Sequence, residues 1–315
     1  MYYPYLRGKQ FELILVRDRA PFLKANRIHP IIEPVRVDFS PLSRAVKALK
    51  EANASATFII NPRVGDNPVP IESMFPLIDG EIRGESNFSI GYILTTESNI
   101  NELFELLNKY HNNDFSIIHY GYSEWNNLLT NTSGFPNIKR HVFIDGYAGK
   151  LYQNRFKKEN VDRILIRDGF RQQKRNSDYP QSEHFSELHM TYEGEGMNGF
   201  GDFLTVGDDF SETGGPAFAV VIHLTFLNPD KDMFIYHFIS DKIDSPVDPG
   251  GKFLEALKKL NDNLGDSNSL IFPSEACNEF KSLYERKHYP GLGYLKKLSM
   301  QHHLELIADY LRRDN

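Results

Sequence analysis

Charged and amide side chains stand at the ends of several short apolar runs, where a parallel sheet or barrel would gather them. In such folds the carboxyl ends of the strands carry the active site, so groups at consecutive strand ends converge. The residues that we expect to act in catalysis are Glu33, Asp145, Arg167 and Asp202. The residues that we expect to bind substrate are Asn61, His119, Asp168, Gly214 and Gly215.

Two of these residues are sharper candidates because they are embedded in apolar runs. Glu33 lies in PIIEPV and Arg167 follows ILI, where an unpaired charge is costly. One interpretation pairs Glu33 with Arg167 as a structural ion pair. Another groups Glu33, Asp145 and Asp202 into a site that holds Mg²⁺ or acts as general acid and base. Each strand-end residue is also explained as an ordinary turn former.

Motifs with a known chemical mechanism are missing, which excludes several enzyme classes. The chain contains no HExxH, no GxxxxGK[ST], no GxSxG, and no GxGxxG between a strand and a helix. These patterns would mark zinc peptidases, P-loop NTPases, α/β-hydrolases and dinucleotide-binding enzymes. The turn Thr213-Gly214-Gly215 either presents N–H groups to a phosphate or enters a hairpin.

The histidines and the single cysteine favour packing over catalysis. His223 and His237 lie on two candidate strands and are expected to face each other as core residues, whereas His302 and His303 are expected at the surface. Cys277 is the only cysteine. An intramolecular disulfide and a cysteine-based zinc site are therefore excluded, and we expect this thiol to be packed.

The composition is that of a globular protein with a slightly acidic charge balance. The 315 residues are 40% hydrophobic and 25% charged, with a net charge of −6. That charge argues against a purely electrostatic nucleic-acid binder, although it leaves a local basic groove open. No signal peptide begins the chain and no apolar run is long enough to span a bilayer, so we expect a cytoplasmic protein without membrane contact.

Apolar runs rich in Ile, Val and Phe predict buried strands. Continuous runs, in place of strict alternation, are typical of strands covered on both faces in a parallel sheet. The predicted strands are residues 11–16, 30–35, 57–61, 88–94, 115–120, 141–145, 163–167, 203–206, 217–226 and 233–239. The turn signal Asn228-Pro229-Asp230 makes the last two an antiparallel hairpin.

Amphipathic helices are predicted between several strands, one after Ser40-Pro41 and another near Ser98. Repeated βα units favour a TIM-like (β/α)8 barrel or an open doubly wound sheet. We predict the α/β barrel, modified by the long segment 168–201 and by the hairpin. The barrel-like domain is assigned to residues 1–250, and a C-terminal helical extension over 251–315 is expected to pack on the same domain.

Four segments resemble the bacteriophage "beta protein" family. They are YYPYLRGKQFELI, HPIIEPV, TFIINP and GFGDFLTVGDDFSETGGPAFAVVIHLTF, and the resemblance extends over residues 2–260. It implies a protein encoded on phages or mobile elements, sometimes beside a nuclease-like partner, with a role in phage–host conflict. It implies no catalytic residues.

Two functions of different classes follow, and the sequence leaves open whether the protein is an enzyme. The first is a phage-defence or mobile-element protein with a barrel-type ligand site and a nuclease-like protein partner. The second is a stand-alone hydrolase that acts on a phosphorylated or nucleotide-like substrate through its strand-end carboxylates, with Mg²⁺ as a possible cofactor. The oligomeric state and any contact with nucleic acid are left open as well.

Overall fold

The structure is a computed structural model that describes residues 1–65, 69–158, 161–211, 215 and 217–313. The strands in this part of the chain are β1 (Tyr5–Leu6), β2 (Ile31–Ile32), β3 (Ala56–Ile59), β4 (Phe88–Leu94), β5 (Asp114–His119), β6 (Ile138–Ile144), β7 (Asp162–Ile166), β8 (Ser182–Ser186), β9 (Gly199–Gly201), β10 (Val221–Leu227) and β11 (Met233–Ile239). The helices are α1 (Gln10–Asp18), α2 (Ala20–Ala25), α3 (Ser40–Glu51), α4 (Ile71–Leu77), α5 (Ile100–Lys109), α6 (Trp125–Thr132), α7 (Lys150–Arg155), α8 (Leu188–Thr191), α9 (Pro249–Gly265), α10 (Glu275–Glu285) and α11 (Leu292–Arg313).

Eight parallel strands form a barrel, in the order β1-β2-β3-β4-β5-β6-β7-β9. Backbone hydrogen bonds join its two ends: the Tyr3 N–H donates to the Phe200 carbonyl at 2.8 Å, and the Tyr5 N–H donates to the Asp202 carbonyl at 2.9 Å. The TIM-like (β/α)8 barrel predicted from the sequence is therefore confirmed, in place of the open doubly wound sheet.

The eighth barrel strand is not the predicted segment 203–206, which forms turns, but the preceding β9. Glycine makes this possible, because a Cβ atom on Gly201 would lie 1.9 Å from the Tyr3 carbonyl oxygen. Any larger residue would prevent the close backbone approach that closes the barrel.

The predicted strand over residues 11–16 is wrong, since this run forms α1. At the helix start Glu12 Oε2 accepts from the Lys9 backbone N–H at 3.2 Å, and Leu13 and Val16 are buried on one helical face. The first strand is the short β1 instead. A helix and a buried strand of this length present the same continuous apolar run, so periodicity alone does not separate them.

The chain divides into two compact units, and the division does not fall at residue 250. The barrel unit comprises Met1–Arg167 and Leu188–Asp202, and the second unit comprises Asp168–Glu187 and Phe203–Asn315. The second unit holds a three-stranded antiparallel sheet in the order β10-β11-β8, which includes the predicted hairpin. Its core joins the hairpin strands to the C-terminal helices, since Ile222, Leu224 and Phe253 belong to one buried hydrophobic cluster.

Histidines fill polar positions inside the second unit. The facing of His223 and His237 is confirmed, with their Nδ1 atoms 2.7 Å apart. The surface position expected for His302 and His303 is wrong, because both are fully buried in α11. His302 Nε2 donates to the Thr225 carbonyl at 2.7 Å, and internal hydrogen bonds of this kind make burial of an imidazole tolerable.

Among the described residues, every helix is too short or too polar to serve as a membrane span.

Candidate functional site

The alternation of side chains along each strand decides which residues face the barrel interior. Thr57 Oγ1 on β3 lies 3.3 Å from Ser116 Oγ on β5, passing over Gly91 on the strand between them. Arg140 on β6 likewise donates to Ser89 Oγ on β4 at 2.7 Å. Side chains of alternate strands meet in layers inside a barrel, so these four residues face inward.

Glu33 belongs to the inward-facing set, because His29 lies four residues earlier and its Nε2 atom is 2.8 Å from Thr57 Oγ1. The Glu33 side chain is fully buried just beyond the end of β2. The Tyr5 hydroxyl donates to Oε2 at 2.7 Å, and the Arg63 backbone N–H donates to Oε1 at 2.6 Å.

The buried guanidinium of Arg7 completes the surroundings of Glu33 by forming an ion pair with Oε2. Both carboxylate oxygens of Glu33 are therefore engaged by donors from β1, from the segment after β1 and from the loop after β3. Such a carboxylate fixes the positions of its neighbours and is poorly placed to exchange protons with a substrate.

Arg63 is bound to Glu33 through its backbone N–H and extends its side chain to the protein surface. Its backbone is held by Glu33, while its exposed guanidinium lies with Cζ 4.0 Å from the centroid of the Tyr120 ring and Nη2 2.9 Å from the Tyr120 hydroxyl. The Tyr147 ring lies 3.9 Å from the Tyr120 ring between centroids, and Tyr147 is 51% exposed. One cation and two aromatic rings, from the segments that follow β3, β5 and β6, are thus in contact with one another.

The loop that carries Arg63 depends on a glycine close to it. Gly65 has a φ of +124°, and a Cβ atom at this position would lie 2.3 Å from the Val35 carbonyl oxygen. Only glycine lets this loop approach the segment after β2, where Glu33 is located.

Sequence reasoning missed Arg63, Tyr120 and Tyr147, although for the two tyrosines a signal was present. Tyr120 directly follows His119, and Tyr147 lies two residues beyond Asp145, so both tyrosines stand beside predicted site residues. A charge marks a titratable strand-end residue as a candidate, whereas the aromatic residues at the same strand ends carry no such mark.

Asp145 and Arg167 are brought together, as their shared strand-end position predicts. Arg167 Nε donates to Asp145 Oδ2 at 2.5 Å and Arg167 Nη2 donates to Glu195 Oε1 at 3.0 Å. The side chains of Asp145 and Arg167 are 36% and 24% exposed. The suggested pairing of Glu33 with Arg167 is wrong, because each has a different partner of opposite charge.

Asp202 faces away from Glu33 across the barrel wall. The Tyr2 hydroxyl donates to Asp202 Oδ1 at 2.7 Å, and Asp202 is 5% exposed. Phe200, two residues earlier, contacts the Tyr192 ring outside the sheet. Because residues two apart on a strand share a face, Asp202 points outward whereas Glu33 points inward.

His119 does not line the mouth of the barrel. Its Nδ1 atom lies 2.8 Å from the hydroxyl of Tyr152 on α7, and its Nε2 atom lies 2.9 Å from Nδ1 of His141. Burial, and then the neighbouring His141, lower the pKa of His119 well below its ordinary value. This neutral imidazole therefore belongs to the packing between strands and helices.

The other predicted substrate-binding residues have local structural contacts or lie elsewhere. Asn61 joins β3 to β4 by accepting from the Ile93 N–H and donating to the Ile93 carbonyl, both at 2.8 Å. Asp168 accepts from the backbone N–H groups of Phe170 and Asp208, both at 2.8 Å, within the second unit. Gly215 is exposed, and Gly214 lies outside the described residues.

The predicted Mg²⁺ ligands do not form a metal-binding group. Glu33 is held by Arg7, Asp145 by Arg167 and Asp202 by Tyr2, on different faces of the barrel wall. Within the described part of the chain, the group of three side chains close enough to share an ion is a different one, located in the second unit.

Comparison with known proteins gives no family assignment, since no family model and no curated protein matches the chain. Streptococcus suis SuiB is similar over 54% of this chain, with 11% identity and a TM-score of 0.31. This chain spans 49% of the SuiB chain. The enoyl reductase domain of MlnA, from the macrolactin biosynthesis cluster of Bacillus amyloliquefaciens, is similar over 99% of this chain and 81% of its own, with 9% identity and a TM-score of 0.39. At these sequence identities and TM-scores, neither structure indicates the function of this chain.

Proposed function

We propose that the protein binds a phosphorylated ligand with a planar ring, such as a nucleotide, at Arg63, Tyr120 and Tyr147. The observation that carries this proposal is the exposed Arg63 guanidinium, which lies on the Tyr120 ring beside the exposed Tyr147. A guanidinium recognises phosphate through parallel hydrogen bonds, and a tyrosine ring stacks on a base.

The buried contacts of Glu33 support a binding role. Glu33 holds the Arg63 backbone N–H, and the ring and hydroxyl of Tyr120 contact the guanidinium, so the cation is positioned before any ligand binds. A preorganised site loses less conformational entropy on binding than a mobile one.

The state of the carboxylates favours binding over hydrolysis. Glu33, Asp145 and Asp202 each accept hydrogen bonds from an arginine or a tyrosine hydroxyl. A general acid or base must lie within hydrogen-bond distance of the substrate proton that it transfers. These three carboxylates are instead hydrogen-bonded to donors of the protein itself. The stand-alone hydrolase is therefore the weaker of the two predicted functions.

The biological setting that we propose is phage defence or a mobile element, with a nuclease-like protein as partner. Its support is the resemblance of the sequence to the bacteriophage beta protein family. In this setting the barrel acts as a ligand-controlled module whose occupancy regulates the partner.

The ligand site is tested by titrating the protein with AMP, adenosine and inorganic phosphate in a calorimeter. We expect AMP to bind best, and Arg63→Ala to weaken AMP by about tenfold or more, as loss of a charged hydrogen bond predicts. The same variant should leave adenosine nearly unchanged. Tyr147→Ala should weaken AMP and adenosine alike, because stacking does not depend on the phosphate.

Arg83→Ala is the matched control. The Arg83 guanidinium is also exposed and lies 5.9 Å from a tyrosine ring, that of Tyr110, but in the turn that precedes β4. AMP affinity should not change in this variant. Failure of all three probes to bind the wild type, or equal AMP affinity in Arg63→Ala, would refute the proposed site, and release of phosphate from AMP would restore the hydrolase.

A further inference from the structure

Three side chains of metal-ligating type converge in the second unit, apart from the residues of the proposed ligand site. They are His184, Glu187 and Asp232, and one ligand atom of each lies within 4.8 Å of the other two. His184 Nε2 is 3.3 Å from Glu187 Oε2 and 3.9 Å from Asp232 Oδ1. Ligands bonded at about 2.1 Å to one cation lie roughly 3–4 Å apart, so these separations are close to those of a metal site.

A β-bulge in β8 brings His184 and Glu187 to the same side. Along the ladder with β11, Ser186 is opposite Met233 whereas His184 is opposite Phe234, so Phe185 has no opposite residue. In a regular strand, side chains three residues apart point to opposite faces. The extra residue changes this alternation and re-aims the flanking side chains, as bulges near functional sites do.

The backbone of the hairpin turn fixes the third residue. The Asp232 N–H donates to Asn228 Oδ1 at 2.8 Å, and the Asp232 carbonyl accepts from the Asn228 N–H at 2.9 Å. Lys231 in the same turn has a φ of +66°. Asp232 is thereby held opposite the bulge, where its side chain reaches His184 without reordering of the chain.

We propose that His184, Glu187 and Asp232 bind a first-row transition-metal dication, with Zn²⁺ as the reference ion. An imidazole nitrogen with two carboxylates suits Zn²⁺, Mn²⁺, Co²⁺ or Ni²⁺, whereas Mg²⁺ and Ca²⁺ prefer oxygen ligands alone. Two carboxylates and a neutral histidine also balance the charge of a dication.

Exposure defines the kind of site. The three side chains are 34%, 46% and 37% exposed, so a bound ion remains open to water. Three protein ligands with an open position are the arrangement of reactive metal centres, whereas structural zinc sites are closed. The bound ion would also cross-link β8 to the β10–β11 turn.

The experiment uses chelator-treated full-length protein titrated with Zn²⁺ in a calorimeter and with Co²⁺ in a spectrophotometer. We expect one ion per chain, a visible Co²⁺ absorption band, and a rise in melting temperature on addition of Zn²⁺. His184→Ala and Asp232→Asn should each weaken Zn²⁺ binding by about tenfold or more and remove the rise in melting temperature. A large excess of Mg²⁺ should not displace Zn²⁺.

Asp230→Asn is the matched control. Asp230 is exposed in the same turn, and this substitution removes the same charge as Asp232→Asn. Its Zn²⁺ affinity should equal that of the wild type. Circular dichroism of each variant verifies folding, and Asp232→Asn preserves the turn if His184→Ala does not fold. The proposal is overturned if the wild type binds no more Zn²⁺ than the double variant His184→Ala/Asp232→Asn, or if Asp230→Asn weakens binding equally.

Discussion

Two arginine–carboxylate pairs at the carboxyl ends of the barrel strands have the same chemistry and opposite surroundings. The side chains of Arg7 and Glu33 are 4% and 0% exposed, whereas those of Arg167 and Asp145 are 24% and 36% exposed. The first pair also has the Tyr5 hydroxyl and the Arg63 N–H as donors. The second shares its guanidinium with Glu195.

The difference teaches what a charge in an apolar run signifies. A buried pair contributes little net stability compared with a well-packed apolar pair, yet each member is indispensable once the other is buried. A partly exposed pair remains solvated and contributes little in either direction. Glu33 is thus explained by its role in holding Arg7 and Arg63, and Asp145 by a local contact with Arg167.

Among the substitutions that test this comparison, replacement of Glu33 by Gln should lower the free energy of unfolding most. The variant removes the negative charge that faces the buried Arg7 guanidinium, which is expected to cost about 3–5 kcal/mol in the free energy of unfolding. Urea denaturation monitored by circular dichroism measures this. The double variant Arg7→Met/Glu33→Gln should recover a large part of the loss, and a loss below about 1 kcal/mol in the single variant would contradict a buried pair.

A pH series tests the alternative way of burying a titratable group, which is to keep it neutral. Burial lowers the pKa of His302 to about 4. The unfolded chain, with a pKa near 6.5, binds a proton first as the pH falls, so stability is complete above about pH 6.5 and declines toward pH 4.

Between about pH 7.5 and pH 5 this histidine should cost the wild type roughly 2 kcal/mol of unfolding free energy. Other buried histidines add to the decline, so the measurement compares the wild type with His302→Gln by urea denaturation at both pH values. The variant should show a smaller decline by about that amount. Equal declines in the two proteins would show that His302 keeps an ordinary pKa.

Replacement of Asp145 by Asn should have the smallest effect. Because its partner Arg167 remains partly solvated and retains Glu195, the expected loss is about 0.2–1 kcal/mol. The loss should shrink further in about 1 M NaCl, where the Debye length is about 3 Å. A loss as large as that of Glu33→Gln would remove the distinction between the two pairs.

Much of the barrel could be predicted from the sequence because its strands are separate apolar runs. The runs at 88–94 and 115–120 match β4 and β5 closely. The misses occur where one pattern fits two structures or where no apolar run exists. The run at 11–16 is a helix, and β9 is the three-residue segment Gly-Phe-Gly, which has too few side chains to show a pattern.

The candidate site was less predictable, since strand ends reveal position but not direction. Glu33 and Asp202 both follow barrel strands, yet one faces the interior and the other the exterior. Asp145 and Arg167 did converge, because neighbouring strands end at the same level. The site position of Arg63 could not be predicted from its local sequence, since it is fixed by a backbone contact with a residue 30 positions earlier.

The sequence by itself determined the class of fold, the hairpin and the presence of charges at the carboxyl ends of strands, because these follow from local patterns of apolar and polar residues. Only the tertiary structure decided which charges pair, which face the interior, and that a bulge at Phe185 gathers His184, Glu187 and Asp232. The physical reason is that pairing depends on burial and on distances between segments far apart in the chain, and a single strand carries no record of either.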